Sequence, residues 1–191
     1  MNTQTHFFIA VPIETEQKKR IHHWVTENRN NLPFKSWVHP EDYHITLAFL
    51  GHVESKDQLS QLSKRVSEKT EDIQPFTLSL KGLDTFGKKD SPRIFWAGVE
   101  ESSSLHYVQK QVFQACKDAG FKLDTKPFRP HITLARRWKT ETPFIKPEAF
   151  EHTFRDDSNT FTVQKIHLYQ THLDRVPKYE TVGQFALYGV L

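Results

Sequence analysis

Two histidine–threonine pairs are the residues of this chain best suited to chemistry. His44 and Thr46 lie in the pentapeptide His-Ile-Thr-Leu-Ala, and His131 and Thr133 lie in an identical pentapeptide further along the chain. An imidazole titrates near neutral pH and can give or accept a proton, and a threonine hydroxyl can donate a hydrogen bond to a phosphate oxygen. In one pocket, two such pairs would suit phosphoryl chemistry without a metal, with one imidazole as base and the other as acid.

A strand conformation would direct the histidine and threonine of each pair to the same face. Side chains alternate along a strand, so His44 and Thr46 share one face and the apolar residues beside them share the other. The apolar faces of both copies need a core, and we therefore expect the polar faces to meet in a shared groove. Arg136 could bring a guanidinium to the same phosphate. Strict alternation places Arg136 opposite to His131, so it reaches the groove only if the strand twists or ends there.

The two pentapeptides belong to an internal repeat. Their histidines are 87 residues apart, and the same offset aligns the apolar segment 7–10 with 94–97. Self-similarity at a fixed offset indicates a duplicated structural unit. We predict one domain over 1–191, with repeat copies at about 5–87 and 92–190.

Helices and further strands surround the motifs in the sequence. Apolar residues recur at steps of three and four in predicted helices over 14–30, 55–69 and 105–119, with Gly120 as a C-terminal stop. Short apolar or alternating segments bounded by turn residues predict the strands. The predicted strands are 7–11, 76–86, 93–99, 161–172 and 180–190, and the polar segment 140–159 is a predicted loop with a short helix at 148–152.

Composition narrows the class of protein. The chain has 191 residues, of which 37% are hydrophobic, and its formal net charge is +3, so a folded, mildly basic body is expected rather than a disordered or supercharged chain. The single cysteine, Cys116, cannot form an internal disulfide, and the first ten residues lack the basic start and long apolar segment of a signal peptide. No segment approaches the roughly 18 apolar residues of a membrane helix. We expect a cytoplasmic monomer with no membrane or protein partner.

Three segments carry a resemblance to a known family. They are 44–51 (HITLAFLG), 130–136 (PHITLAR) and the opening strand 7–11 (FFIAV). Together they resemble the two-histidine phosphoesterase superfamily, and within it the bacterial and archaeal RNA 2',3'-cyclic phosphodiesterases, historically called 2'-5' RNA ligases. The resemblance extends over about 5–189, and the paired motif at this separation is highly specific.

The resemblance implies a fold and an activity. The fold is α+β, a bilobal pseudo-twofold duplication of two interleaved lobes, with an antiparallel sheet in each lobe, helices on the outer faces and a central groove. The activity is hydrolysis of a terminal RNA 2',3'-cyclic phosphate to a 2'-phosphate, with no metal and no cofactor. The expected partner is accordingly an RNA or nucleotide that ends in a 2',3'-cyclic phosphate.

Roles for five residues follow from the same resemblance. His44 matches the proton donor and His131 the proton acceptor, while Thr46, Thr133 and Arg136 match residues that bind the phosphate. The chain departs from the family at one position, because many members have an arginine where this sequence has His6.

Alternatives remain open at this stage. The enzyme could run in the reverse direction and join a cyclic phosphate to a 5'-hydroxyl, or the groove could bind a nucleotide without turnover. A metal site is a third option, since imidazole is a common ligand, but no carboxylate or cysteine accompanies either motif. Some further side chains could stack on a base or line the groove. These are Trp37, Tyr43, Phe128, Trp138, His167 and His172.

Overall fold

Nine strands and three α-helices make up the part of the chain that the computed structural model describes, residues 5–53 and 55–189. The strands are β1 (His6–Pro12), β2 (Phe34–Trp37), β3 (His44–His52), β4 (Phe76–Gly87), β5 (Pro92–Val99), β6 (Ile132–Trp138), β7 (Thr160–Val163), β8 (Lys165–Thr171) and β9 (Tyr179–Ala186). The helices are α1 (Thr15–Asn28), α2 (Lys56–Thr70) and α3 (Ser103–Asp118).

The strands form one antiparallel sheet with a narrow seam at its centre. Their order is β7-β4-β5-β6-β3-β1-β8-β9, and β2 pairs with the later part of β6. Across the seam, β3 and β6 share a single residue pair, Ile45 with Ile132. Because β6 then pairs with β2, the two halves of the sheet separate after this pair. The fold is α+β with antiparallel strands, as the resemblance implies, and the two halves join into one continuous sheet.

Each half of the sheet contains strands from both repeats. The half with β1 and β3 also holds β8 and β9, and the half with β5 and β6 also holds β4. Two interleaved lobes would produce this order, and we propose that division for the chain. The second predicted repeat copy ends at 190, which lies outside the described residues, as do positions 1–4, 54 and 191 of the predicted domain.

The apolar core lies against one face of the sheet. Phe7, Ile9 and Val11 of β1 are buried in one cluster with residues of all three helices, whereas Phe8 and Ala10 point to the other face. We call the face that carries Phe8 and Ala10 the groove face. Because residues paired directly across strands share a face, the register shows which side chains join it.

Most predicted elements are present within one or two residues. Ser55 accepts a hydrogen bond from Gln58 N and begins the second helix, Gly120 takes φ of +84° just after the third, and a 3-10 helix spans Glu148–His152. The predicted strand at 161–172 is two strands, because the chain leaves the edge of one half at Gln164 and joins the other.

Two further differences concern strand ends. The short strand β2 has no counterpart in the prediction, since four residues after a proline give too little periodicity. The last predicted strand stops at Ala186, and Val190, where the prediction ends, lies outside the described residues.

Candidate active site

A β-bulge follows the first histidine–threonine pair. Against β1, Ala10 pairs with Thr46 and Ile9 pairs with Ala48, so Leu47 has no partner in the ladder. Leu47 and Ala48 are therefore both buried on the core side. The next residue, Phe49, returns to the groove face and is 55% exposed.

The same irregularity in β6 carries Arg136 to the groove. Thr133 and Ala135 pair with consecutive residues of β5, so Leu134 has no partner in this ladder. Arg136 thereby shares the face of Thr133, and it is exposed. The strict alternation that places Arg136 opposite to His131 is wrong here, because one extra residue resets the alternation in the middle of the strand.

The seam brings the two pairs together. In an antiparallel ladder the residues on either side of a pair face one another, so the register sets His44 across from Thr133 and Thr46 across from His131. The polar faces of the two repeats therefore meet at the centre of the sheet, in agreement with the expectation of a shared groove.

Main-chain carbonyls fix the tautomer of both imidazoles. His44 Nδ1 lies 2.7 Å from the carbonyl oxygen of Asp42, and His131 Nδ1 lies 2.7 Å from that of Arg129. Since a carbonyl only accepts, Nδ1 carries the hydrogen in each ring and a neutral ring keeps its lone pair on Nε2. His44 Nε2 lies 3.0 Å from Thr46 Oγ1 and accepts from this hydroxyl when the ring is neutral. Each Nε2 is thus the atom available for proton transfer.

Aromatic side chains surround both histidines. The ring of His44 packs against Phe8 at 4.8 Å and edge-on against Tyr179 at 5.2 Å between centroids. The ring of His131 packs edge-on against Phe86 at 4.9 Å. These walls limit rotation of the imidazoles and shield them in part from water.

The electrostatics of the free protein disfavour the charged form of both rings. Burial is the largest cause that lowers the pKa of His44, to about 4; Asp42 partly raises it, and Arg136 and His131 lower it further. The pKa of His131 is also lowered, first by burial and then by Arg136 and Arg129, while its hydrogen bond to the Arg129 carbonyl raises it. An exposed imidazole would titrate near neutrality, and burial is the main reason that these two rings differ from it. Because Arg136 acts on both histidines, the three groups share one site.

A large cleft opens beside Thr46 and His131. Its volume is about 920 Å³, which is in the range of pockets that bind nucleotide-sized ligands. The lining includes aromatic rings and cations: Phe49, Phe86, Phe128, Lys122, Lys126 and Arg129. Arg129 lies over the ring of Phe86 at 5.0 Å. His6 packs edge-on against Phe49 at 5.6 Å.

Only some of the aromatic residues that the sequence analysis names can reach a base. Phe128 lines the cleft. Tyr43 is 2% exposed and belongs to the core, and Trp37 and Trp138 pack against Phe34. Packing explains the positions of Tyr43, Trp37 and Trp138 better than stacking on a ligand does.

The two late histidines have different surroundings. His167 pairs with Ala10 and so lies on the groove face, where it is 8% exposed beside the hydroxyls of Tyr169 and Thr181. His172 lies 2.7 Å from a carboxylate oxygen of Glu180 and contributes to an exposed ion pair.

Sequence reasoning misses three residues of the site. Asp42 and Tyr179 contact His44 but are remote from each other in the chain, so no local pattern connects them. Phe49 is the counterpart of Arg136 in the first repeat, and the repeat offset alone could have drawn attention to it.

Metal-binding clusters and membrane-spanning helices are both absent from the described part of the chain. Residues 5–53 and 55–189 contain no group of three or more His, Cys, Asp or Glu side chains placed to hold a metal ion. Within the same residues, no helix combines the length and apolar character needed to cross a membrane.

The duplicated sheet and its paired histidine–threonine segments define a two-histidine phosphoesterase. The chain belongs to the 2'-5' RNA ligase superfamily, whose family model matches residues 13–175. It is 45% identical over 186 residues to a protein of Geobacillus stearothermophilus named RNA 2',3'-cyclic phosphodiesterase. That alignment covers 97% of this chain but 58% of the relative, so the chain spans little more than half of it.

A second relative and a solved structure match over nearly their full lengths. A Bacillus subtilis protein of the same name is 34% identical over 182 residues, with 95% of this chain and 96% of the relative covered. The crystal structure of Escherichia coli LigT in apo form superposes with a TM-score of 0.77 at 23% identity, covering 95% of this chain and 96% of that one. The superposition supports the fold.

Proposed function

We propose that this protein hydrolyses a terminal RNA 2',3'-cyclic phosphate to a 2'-phosphate. The observation that carries the proposal is the pairing of Ile45 with Ile132, which sets His44 across from Thr133 and Thr46 across from His131. Both imidazoles donate from Nδ1 to a main-chain carbonyl, and Arg136 lowers the pKa of both. A single phosphate between them would meet an acid, a base and a guanidinium. The names of the two relatives support the same reaction.

The proposed reaction needs one proton transfer at each histidine. His131 Nε2 takes a proton from water as the water oxygen attacks phosphorus. The bond from phosphorus to the 3'-oxygen breaks, and His44 Nε2–H gives its proton to the leaving oxygen. The phosphate remains on the 2'-oxygen, and the two histidines exchange protonation states in each turnover.

The remaining residues would hold the phosphate. The hydroxyls of Thr46 and Thr133 can donate to its non-bridging oxygens, and Arg136 can form a charged, forked contact with it. When His44 is protonated, its Nε2 no longer accepts from Thr46, so the hydroxyl hydrogen becomes available to the phosphate. Acid function and phosphate binding are thereby linked through one hydrogen bond.

Substrate charge is required for His44 to act as an acid. With a pKa of about 4 in the free protein, His44 is neutral at pH 7. An anionic phosphate placed beside the ring favours the imidazolium and raises this pKa. The proposed substrate therefore supplies negative charge that stabilises the imidazolium of His44.

The cleft beside His131 favours an RNA end over a small phosphate ester. Sites for single-stranded nucleic acid combine cations that track the backbone with aromatic rings that stack on bases. Lys122 and Lys126 line the same cleft as Phe49 and Phe128, and Lys126 pairs there with Asp124 at 3.0 Å. A cytoplasmic, monomeric state stays a prediction.

The test is turnover of adenosine 2',3'-cyclic phosphate by the wild type and by H44A and H131A. Loss of one catalytic proton transfer slows the reaction by about two to four orders of magnitude. H22A, which removes an exposed histidine of α1, is the matched control and should keep the wild-type rate. Normal turnover by either H44A or H131A would contradict the proposal.

A further inference from the structure

Asp42 is a buried carboxylate at the edge of the site. It is 5% exposed, and none of the ion pairs formed by the described residues includes it. Both carboxylate oxygens instead accept from the main chain, Oδ2 from Lys178 N at 2.9 Å and Oδ1 from Tyr179 N at 3.1 Å. A buried charge held only by two amides needs an explanation, because its desolvation is costly.

The two amides lie where β9 begins, next to His44. Tyr179 is the first residue of β9, and its ring packs edge-on against His44 at 5.2 Å. Tyr179 also interacts with Arg136: burial raises the pKa of the Tyr179 hydroxyl, and the charge and hydrogen bond of Arg136 partly lower it. The carboxylate of Asp42 therefore fixes a tyrosine that packs against the proposed acid and interacts electrostatically with the proposed phosphate ligand.

Comparison with the second repeat separates the role of the Asp42 carboxylate from that of the Asp42 carbonyl. Arg129 occupies the position equivalent to Asp42, two residues before His131, and its carbonyl accepts from His131 Nδ1 at the same 2.7 Å. The side chain of Arg129 is exposed and lies over Phe86. Orientation of a histidine by the carbonyl thus requires no carboxylate, and the side chain of Asp42 acts on β9 instead.

We propose that Asp42 is a positioning residue, whose carboxylate anchors the start of β9 so that the ring of Tyr179 holds the imidazole of His44 against the phosphate. This inference rests on the proposed function. The inference also gives Asp42 an electrostatic effect, because its charge raises the pKa of His44. Among the described residues, Asp42 is the one anion in the set of charged and titratable groups that act on His44 or contact it. Those groups are Asp42, His131, Arg136, Tyr169 and Tyr179.

The test is the pH dependence of kcat for D42N on adenosine 2',3'-cyclic phosphate. Asparagine keeps the shape but offers one acceptor oxygen for two amides and no charge. We expect kcat to fall about 100-fold through misplacement of the acid, with KM little changed. The alkaline limb of the kcat profile should move to lower pH, because removal of an anion makes the imidazolium easier to deprotonate. D156N, which alters an exposed carboxylate that also accepts a main-chain N–H, should keep the wild-type profile.

A second variant keeps the inference testable if D42N does not fold. Y179L leaves the two amides and Asp42 in place and removes the ring that they position. A wild-type kcat for Y179L, or a wild-type pH profile for folded D42N, would overturn the inference. Absence of turnover by the wild type would instead refute the proposed function, so the two failures are distinguishable.

Discussion

Phe49 and Arg136 occupy equivalent positions in the two repeats, and each returns to the groove face after a β-bulge at the preceding leucine. The burial pattern is the same from His44 to Phe49 as from His131 to Arg136. The backbone is therefore symmetric while the two ends of the groove differ, one with a guanidinium and the other with an exposed ring. A phosphate and a base are the ligand groups that these two ends suit.

The guanidinium of Arg136 is expected to act through its forked geometry. R136K keeps the charge and loses the paired N–H groups, so kcat/KM for adenosine 2',3'-cyclic phosphate should fall about 10- to 100-fold, the worth of one charged hydrogen bond. R137K changes the neighbouring exposed arginine and should have no effect. A wild-type kcat/KM for R136K would show that charge alone is sufficient.

The pKa of His44 should rise when an anion occupies the groove. A phosphate within about 4–6 Å favours the imidazolium and should raise the pKa from about 4 by one to three pH units. Titration of the imidazole ¹⁵N signals with and without saturating adenosine 2'-phosphate measures the change. Potassium chloride at the same ionic strength controls for screening. A pKa that stays near 4 in the complex would argue against His44 as the acid.

Stability should fall in mild acid because buried histidines stay neutral. Burial, Lys165 and Lys18 lower the pKa of His167 to about 4, and its Nε2 has no hydrogen-bond partner among the described residues. The unfolded chain, with an ordinary histidine pKa, binds the proton first, so stability is full above about pH 6.5 and declines as pH falls toward 4.

The His167 contribution can be isolated by substitution. The free energy of unfolding is measured in urea at several pH values between 6.5 and 4. The slope of this free energy against pH should be smaller for H167Q than for the wild type, by up to about 1.4 kcal/mol per pH unit. H22Q, at an exposed site on α1, should retain the wild-type slope. Equal slopes for H167Q and the wild type would contradict the assignment.

The cleft should give RNA ends an advantage over mononucleotides. The double variant K122A/K126A should lower kcat/KM for a tetranucleotide ending in a 2',3'-cyclic phosphate and leave the mononucleotide unchanged. Each lost phosphate contact should also reduce the slope of log(kcat/KM) against log salt by about 0.7. K19A/K64A removes two cations outside the cleft and serves as control. Equal losses of kcat/KM on both substrates would show that these lysines do not bind the RNA chain.

The sequence predicts the chemistry of this site better than its geometry. Side-chain alternation and the repeat offset are enough to pair His44 with Thr46 and His131 with Thr133 on one face. The bulges are invisible to alternation, because a skipped leucine is as apolar as a paired one, and Arg136 is misplaced for that reason.

The features of the site that the sequence does not predict depend on long-range contacts and on burial in the folded chain. Asp42 and the amide of Tyr179 are 137 residues apart, and only the contact of the segment just before β3 with the start of β9 joins them. The low pKa of His44 likewise depends on rings from other strands, such as Phe8, that cover it in the folded chain.

The most direct test is to identify the product formed from a short RNA that ends in a 2',3'-cyclic phosphate, with a chelator in excess. We predict complete conversion by the wild type to an RNA with a 2'-phosphate and a free 3'-hydroxyl, with no product from a double H44A/H131A variant. An unchanged cyclic end or a 3'-phosphate would contradict the proposed reaction, and full activity of the double variant would contradict acid–base catalysis by His44 and His131.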